Sequence, residues 1–236
     1  MSHTERSTPQ GRGPLKHQAL DLLVARGVEI ATILDVGVER GTPELIHAFP
    51  SLLHVLFEPV AEFVPFIEAA YANVDHRLVR MAVSDRTGEG TLQIESIMGG
   101  EVTHSALVAI GTEGEAQRSI PITTLDDAVA AMGLQTPFLL KIDIDGQELR
   151  ALAGASNVLL NCAVVIVEVP VYEFSQRLRV LEAAGFRLYD IVEPCYYDGS
   201  LWQADAIFIR NEIHAQHFSD LRNKGFEVEK YQMFKG

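Results

Sequence analysis

At 236 residues, 47% hydrophobic and 22% charged, the chain has the makeup of a soluble globular protein with material for one large core. Its 19 basic and 32 acidic residues leave a net charge of −13, and no lysine or arginine run offsets it, which argues against a long nucleic acid as main partner. The two isolated cysteines, Cys162 and Cys195, argue against a disulfide scaffold. No apolar run approaches the ~18 residues of a membrane span, so a reduced, cytoplasmic protein is expected, with a compact neutral or cationic partner.

Residues 1–14 are polar, with prolines and glycines, and are expected to form a disordered tail. The stretch "LKHQALDLLVARG" then sets Leu15, Ala19, Leu22 and Leu23 on one helical face, with Gly27 as the stop. Strand-like runs follow at "ATILDV" (31–36), "LLHVLFE" (52–58), "RLVRMAV" (77–83), "FLLKIDI" (138–144), "AVVIVEV" (163–169), "FRLYDIV" (186–192) and "DAIFIR" (205–210). Helical stretches fall between most of them: "PELIHAF", "AEFVPFIEAAYA", "LDDAVAAMG", "QELRALAGA" and "FSQRLRVLEAAG". The alternation predicts an α/β domain over 15–210, a mostly parallel sheet with helices on both faces. The last two strands have no helix between them and are expected to pair antiparallel. The segment around 96–117 is glycine-rich and long, and is expected to be either disordered or a functional lid. Residues 211–236 form a charged extension, either an extra helix or a homodimer arm.

The turn after the first strand, Gly37-Val38-Glu39-Arg40-Gly41, lacks the middle glycine of a dinucleotide fingerprint and carries a carboxylate where phosphates would lie. No phosphate-loop motif is present either. Glu58 ends the second strand, 21 residues after Gly37, where an acid can hold a ribose diol. Ribose without phosphates points to an adenosine compound such as S-adenosylmethionine, with Asp35 and the glycine turn facing its cationic end. The carboxyl ends of the predicted strands also bring together Ser84 with Asp85, Asp143 with Asp145, and Glu168, an edge where open α/β sheets bind ligands.

Taken in order, "ILDVGVERG", "LFEP", "AVSDRTGEGTL", "TTLDD" and "LLKIDIDGQELRALAGA" resemble the FkbM-type family of S-adenosylmethionine-dependent methyltransferases. The later "VVIVEV" and "ADAIFIR" fit the same pattern, and the resemblance spans roughly residues 30–210. In the first motif this chain carries Val38-Glu39 where the family has alanine and asparagine. The resemblance implies a class I methyltransferase (Rossmann-like) fold, a seven-stranded sheet with its last strand antiparallel, acting on a hydroxyl of a small molecule such as a sugar or secondary metabolite. It also implies that Asp35, Gly37 and Gly41 line the cofactor, that Glu58 holds its ribose, and that Ala82–Asp85 lies near the adenine. Asp143 would face the reaction centre.

An alcohol acceptor must lose a proton, and a positioned base typically contributes about 10²–10⁴-fold. Asp143 is the first candidate, with capping of the following turn as its plainer role. His104, in the long loop, is the second. Asp143, Asp145 and Glu168 could together hold one divalent cation, although charge-capped turns account for them more simply. Tyr196, Tyr197 and Trp202 could wall an acceptor pocket or pack the sheet edge. Two other readings stand beside the methyltransferase: an NAD-dependent oxidoreductase, and a non-catalytic member that binds the cofactor without turnover.

Overall fold

A computed structural model describes residues 13–95, 104–108, 117–220 and 226–232. The strands are β1 Thr32–Val36, β2 Leu53–Phe57, β3 His76–Val79, β4 Ala82–Val83, β5 Gly88–Glu95, β6 His104–Val108, β7 Gln117–Thr123, β8 Phe138–Ile142, β9 Cys162–Pro170, β10 Phe186–Tyr197 and β11 Ser200–Arg210. The helices are α1 Lys16–Ala25, α2 Pro43–Ala48, α3 Val64–Ala70, α4 Leu125–Ala130, α5 Glu148–Ala153, α6 Ser156–Leu160, α7 Phe174–Ala183 and α8 Asn211–His217.

Seven strands form the main sheet in the order β10-β11-β9-β8-β1-β2-β3. β1 pairs parallel with β2 and β8, and β8 with β9, while β11 lies antiparallel between β9 and β10. β1, β8 and most of β9 are buried on both faces, which their near-continuous apolar runs require of central parallel strands. Alternation along β1 sends Leu34 and Val36 to a core shared with α4, α5, α6 and α7. Ile33 goes to the opposite face, against α1 and α2.

Two sequence expectations need correction. The run "RLVRMAV" is not one strand: it breaks at Arg80-Met81, and β4 leaves for a second sheet of four strands, β4-β7-β5-β6. That sheet takes up the described part of the segment expected to be disordered or a lid. Gly90 leaves room for the side chains of its neighbouring strands, since a Cβ there would lie 2.8 Å from Ile122 Cγ2 and 3.2 Å from Leu107 Cδ2. The sheet packs Leu92, Ile94, Ile120 and Ile122 against Phe63, Ile67 and Tyr71. Each such buried aliphatic side chain contributes about 1.5–3 kcal/mol by leaving water.

The last two strands pair antiparallel, as expected, and extend beyond the predicted runs 186–192 and 205–210. β10 runs on to Tyr197 and β11 starts at Ser200, joined at Asp198-Gly199 with φ of 48° and 76°. Positive φ at both central residues gives the turn a twist that matches its strands, so the hairpin can extend to its tip. Residues 1–12 and part of the 211–236 extension, named in the sequence expectations, lie outside the described residues; α8 opens that extension.

Candidate active site

The carboxyl ends of β1, β2, β8 and β9 meet the small sheet around a cavity of about 240 Å³. Its floor is the turn after β1. Gly37 has φ of 79°, and a Cβ at that position would lie 1.8 Å from the carbonyl oxygen of Asp143, so no side chain fits between these two strand ends. Its carbonyl oxygen accepts a hydrogen bond from Lys141 Nζ at 3.1 Å. Glu39 follows with φ of 51° and lines the cavity.

Glu58, at the end of β2, is buried and faces the cavity. The amides of Glu39 and Val60 each donate to its carboxylate at 2.9 Å. Burial nevertheless pushes its pKa up to about 7, because the two amide bonds only partly offset the lost hydration of the charged form. Phe57, Phe63, Met81, Val83, Leu92 and Leu107 form an apolar wall beside it. Asp143, Asp145, Gln147, Glu168 and Gln203 make the opposite, polar part of the lining.

The turn Asp143–Gln147 is held from beneath. Glu148 is wholly buried, and its Oε1 accepts the amides of Ile144 at 3.1 Å and Gly146 at 3.0 Å. Its other oxygen pairs with Arg177 Nη2 at 2.5 Å, and Arg177 Nη1 reaches Glu173 at 2.6 Å. Lys141 lies under the same turn, 3.3 Å from Asp143 and 3.4 Å from Asp35. Burial alone would lower the Lys141 pKa, but the carboxylates of Asp143, Asp35 and Asp205 outweigh it and hold the ammonium charged.

Gly37, Glu58 and Asp143 line the cavity. Asp35 is fully buried one layer below it, bonded by the Tyr71 hydroxyl at 3.2 Å and by Lys141. Gly41, with φ of 125°, packs its backbone on Ala70. Ser84 is buried and bonded to Asp85, which lies 3.9 Å from Arg150, and the adjoining residues Met81–Val83 form the lining there. His104 belongs to β6, next to the lining residue Ser105, but its side chain lies outside the described residues. The exposed Tyr172 and Trp202 rings meet at a tilt of 47° with centroids 5.8 Å apart, and Tyr196 and Tyr197 are exposed further along the hairpin.

The sequence did not single out Gln203, whose amide donates to Glu168 at 2.5 Å. That partnership depends on the antiparallel register of β11 against β9, in which Asp205 pairs with Glu168 and Gln203 with Pro170. Among the described residues, no three His, Cys, Asp or Glu side chains gather as a set of metal ligands.

A seven-stranded sheet of this order, with one antiparallel strand and a ligand cavity at the parallel strands' carboxyl ends, defines a class I methyltransferase fold. The chain belongs to the FkbM methyltransferase family: the profile described as "Methyltransferase FkbM domain" matches residues 35–188. Its cofactor is S-adenosylmethionine. No curated protein matches the sequence. Similar solved structures include a precorrin-6y C5,15-methyltransferase from Geobacter metallireducens GS-15, at 12% identity and a TM-score of 0.45, over 83% of this chain and 87% of that one. An rRNA methylase from Streptococcus thermophilus is similar at 9% identity and a TM-score of 0.48, over 84% and 97% of the two chains. Magnesium protoporphyrin IX methyltransferase from Synechocystis PCC 6803 is similar at 11% identity and a TM-score of 0.43, over 83% and 79%.

The chemistry of the lining fits that cofactor. Five carboxyl groups (Glu39, Glu58, Asp143, Asp145 and Glu168) line the cavity, and no lysine or arginine does among the described residues. Such a lining suits a sulfonium and an ammonium group and disfavours a pyrophosphate. No candidate membrane-spanning helix occurs among the described residues.

Proposed function

We propose that the protein transfers the methyl group of S-adenosylmethionine to a hydroxyl oxygen of a small, uncharged or cationic molecule, such as a sugar or secondary metabolite. The observation that carries this reading is the cavity's composition: an apolar wall for an adenine, the buried Glu58 for a ribose, and acidic groups without a lining cation. When bound, the cofactor supplies an electrophilic methyl group. The chain's own residues must hold the acceptor oxygen in line with it and exclude water, which can contribute roughly 7–11 kcal/mol in favourable cases.

Glu58 would hold the ribose diol, Gly37 would let the backbone approach the methionine portion, and Met81–Val83 would border the adenine. Asp35 acts through Lys141, whose bond to the Gly37 carbonyl fixes that turn. Ser84, Asp85 and Gly41 support the adenine side and the entry to α2 from outside the lining. Asp143 and His104 are the sequence's candidates for the acceptor's proton; the ion pair of Asp143 with Lys141 favours instead a role in orienting charge at the methyl end. We take residues 15–210 as the catalytic unit, acting in the cytoplasm, with the 211–236 extension available for a homodimer contact.

The testing experiment is a calorimetric titration with S-adenosylhomocysteine and, in parallel, with NAD. Micromolar binding of the first, abolished in Glu58→Ala, is the expected result. Binding of NAD alone would move the protein to the oxidoreductases.

A further inference from the structure

Glu168 lies near the end of β9, and its carboxyl shares the cavity wall with Asp143 and Asp145. Gln203 Nε2, arriving from the antiparallel β11, donates to Oε1 and fixes the carboxyl's orientation; among the described residues nothing donates to Oε2. The charged groups whose fields act on it are carboxylates from three elements: Asp143 and Asp145 on the turn after β8, Glu148 on α5, and Asp205 on β11. The cations nearby are committed elsewhere. Lys141 pairs with Asp35 and Asp143, Arg177 with Glu148 and Glu173, and Lys16 with Asp205 at 2.6 Å. Burial first, then these neighbouring carboxylates, push the Glu168 pKa up to about 8. Asp143, by contrast, has an ammonium group 3.3 Å away.

We propose that Glu168 is the proton acceptor of the methyl transfer, and that it exchanges its proton for the positive charge of the cofactor. The inference rests on the S-adenosylmethionine reading. In the free protein near pH 7 the carboxyl is mostly protonated. A sulfonium entering the cavity beside Glu168 favours the carboxylate, so the proton leaves to solvent on binding. In the transfer, the acceptor oxygen forms the new C–O bond to the methyl carbon. The C–S bond breaks with its electron pair going to sulfur, and the hydroxyl proton passes to Glu168. One positive and one negative charge enter this step and neither remains, leaving a neutral thioether beside a neutral carboxylic acid. Departure of the thioether returns the site to its starting protonation.

Glu58 also has a raised pKa in the same cavity, but its role is separable. S-adenosylmethionine and S-adenosylhomocysteine carry the same ribose, so any proton that Glu58 gains or loses cancels in their comparison. The difference between the two ligands isolates the group that senses the sulfonium.

The test is calorimetric titration of both ligands near pH 7 in buffers of different ionisation heat, which reads protons released on binding. Wild type is expected to release about one proton more with S-adenosylmethionine than with S-adenosylhomocysteine. The affinity ratio of the two ligands should then rise by up to about tenfold per pH unit below pH 8. Glu168→Gln should bind S-adenosylhomocysteine as wild type does and lose the proton difference, whereas Glu168→Asp, which keeps a carboxyl, should retain it. A difference that persists in Glu168→Gln, or is absent in wild type although both ligands bind, overturns the inference and leaves the cofactor reading standing. Failure of wild type to bind either ligand overturns both.

Discussion

The ammonium of Lys141, on β8, donates to the carbonyl oxygen of Gly37, one residue beyond β1, across 3.1 Å. The contact joins two neighbouring strand ends where the cavity floor begins, and Asp35 and Asp143 complete the pairing within 3.4 Å. Lys141→Met would leave Asp35 buried without its cation, and removing one member of a buried pair costs about 3–5 kcal/mol. Urea denaturation should show a loss of that size. The double variant Asp35→Asn/Lys141→Met should recover part of it, because the stranded charge is gone. A loss no larger than that of an ordinary surface lysine, within about 0.5 kcal/mol, would sink the account.

Arg177 connects the far side of the site to α7. Its guanidinium is fully buried, and its bond to Glu148 holds the carboxylate that caps the amides of Ile144 and Gly146. Arg177→Met should destabilise the fold by about 3–5 kcal/mol. It should also weaken S-adenosylhomocysteine binding, since the Asp143–Gln147 turn loses its support. Adding Glu148→Gln restores part of the stability, because an amide still accepts from the two backbone N–H groups without a buried charge. If unfolding shifts while ligand affinity in the folded protein stays at the wild-type value, the turn is held by something else.

These two networks also show how far the chain could be read in advance. β1, β2, β8 and β9 were legible because strands buried on both faces leave continuous apolar runs, as in "FLLKI" and "AVVIVEV". The glycine turn was legible because backbone geometry restricts what stands there, and Glu58 because it is an acid that ends an apolar strand run. Asp35 was recognised as an acid near a strand end, but alternation along β1 puts it on the face of Ile33, toward Tyr71, and not on that of Val36, which lines the cavity. The small sheet was hidden for another reason. Its strand β7 is buried on one side only, and Pro121 within it reads as a breaker although it pairs with Glu89. Glu168 and Gln203 meet across 35 positions of chain through strand register, which no local spacing encodes.

The free protein should lose stability as pH rises from about 6.5 to 8. Glu58 has its folded pKa raised to about 7 and Glu168 to about 8, both chiefly by burial. For an acid raised on folding, the folded state keeps a proton that the unfolded chain releases. The contribution is therefore complete below the unfolded carboxyl pKa and lost as pH climbs through the folded one. His54 and His214, lowered by burial, act in the opposite sense while the unfolded imidazoles lose their protons around pH 6.5, and they are mostly neutral in both states above about pH 7.5, so the top of the window isolates the carboxyls. Melting temperatures at half-unit pH steps should fall across that window, and fall less in Glu168→Gln. A flat or rising wild-type profile between these limits contradicts the assignment.

Glu39 offers a substitution that should strengthen the fold. It holds φ of 51°, a left-handed conformation that asparagine adopts far more readily than glutamate. Its amide donates to Glu58, and that bond depends on backbone only, so Glu39→Asn retains it. The variant also removes a carboxylate whose field helps raise the Glu58 pKa. Relief of the backbone strain should add up to about 1 kcal/mol, the lower part of the range for such strained residues. The Glu58 carboxyl should at the same time ionise at lower pH, shifting the onset of the stability loss downward. Both effects can be read from one set of thermal melts. A destabilised Glu39→Asn would mean that the glutamate side chain makes a contact in the cavity worth more than the strain it carries.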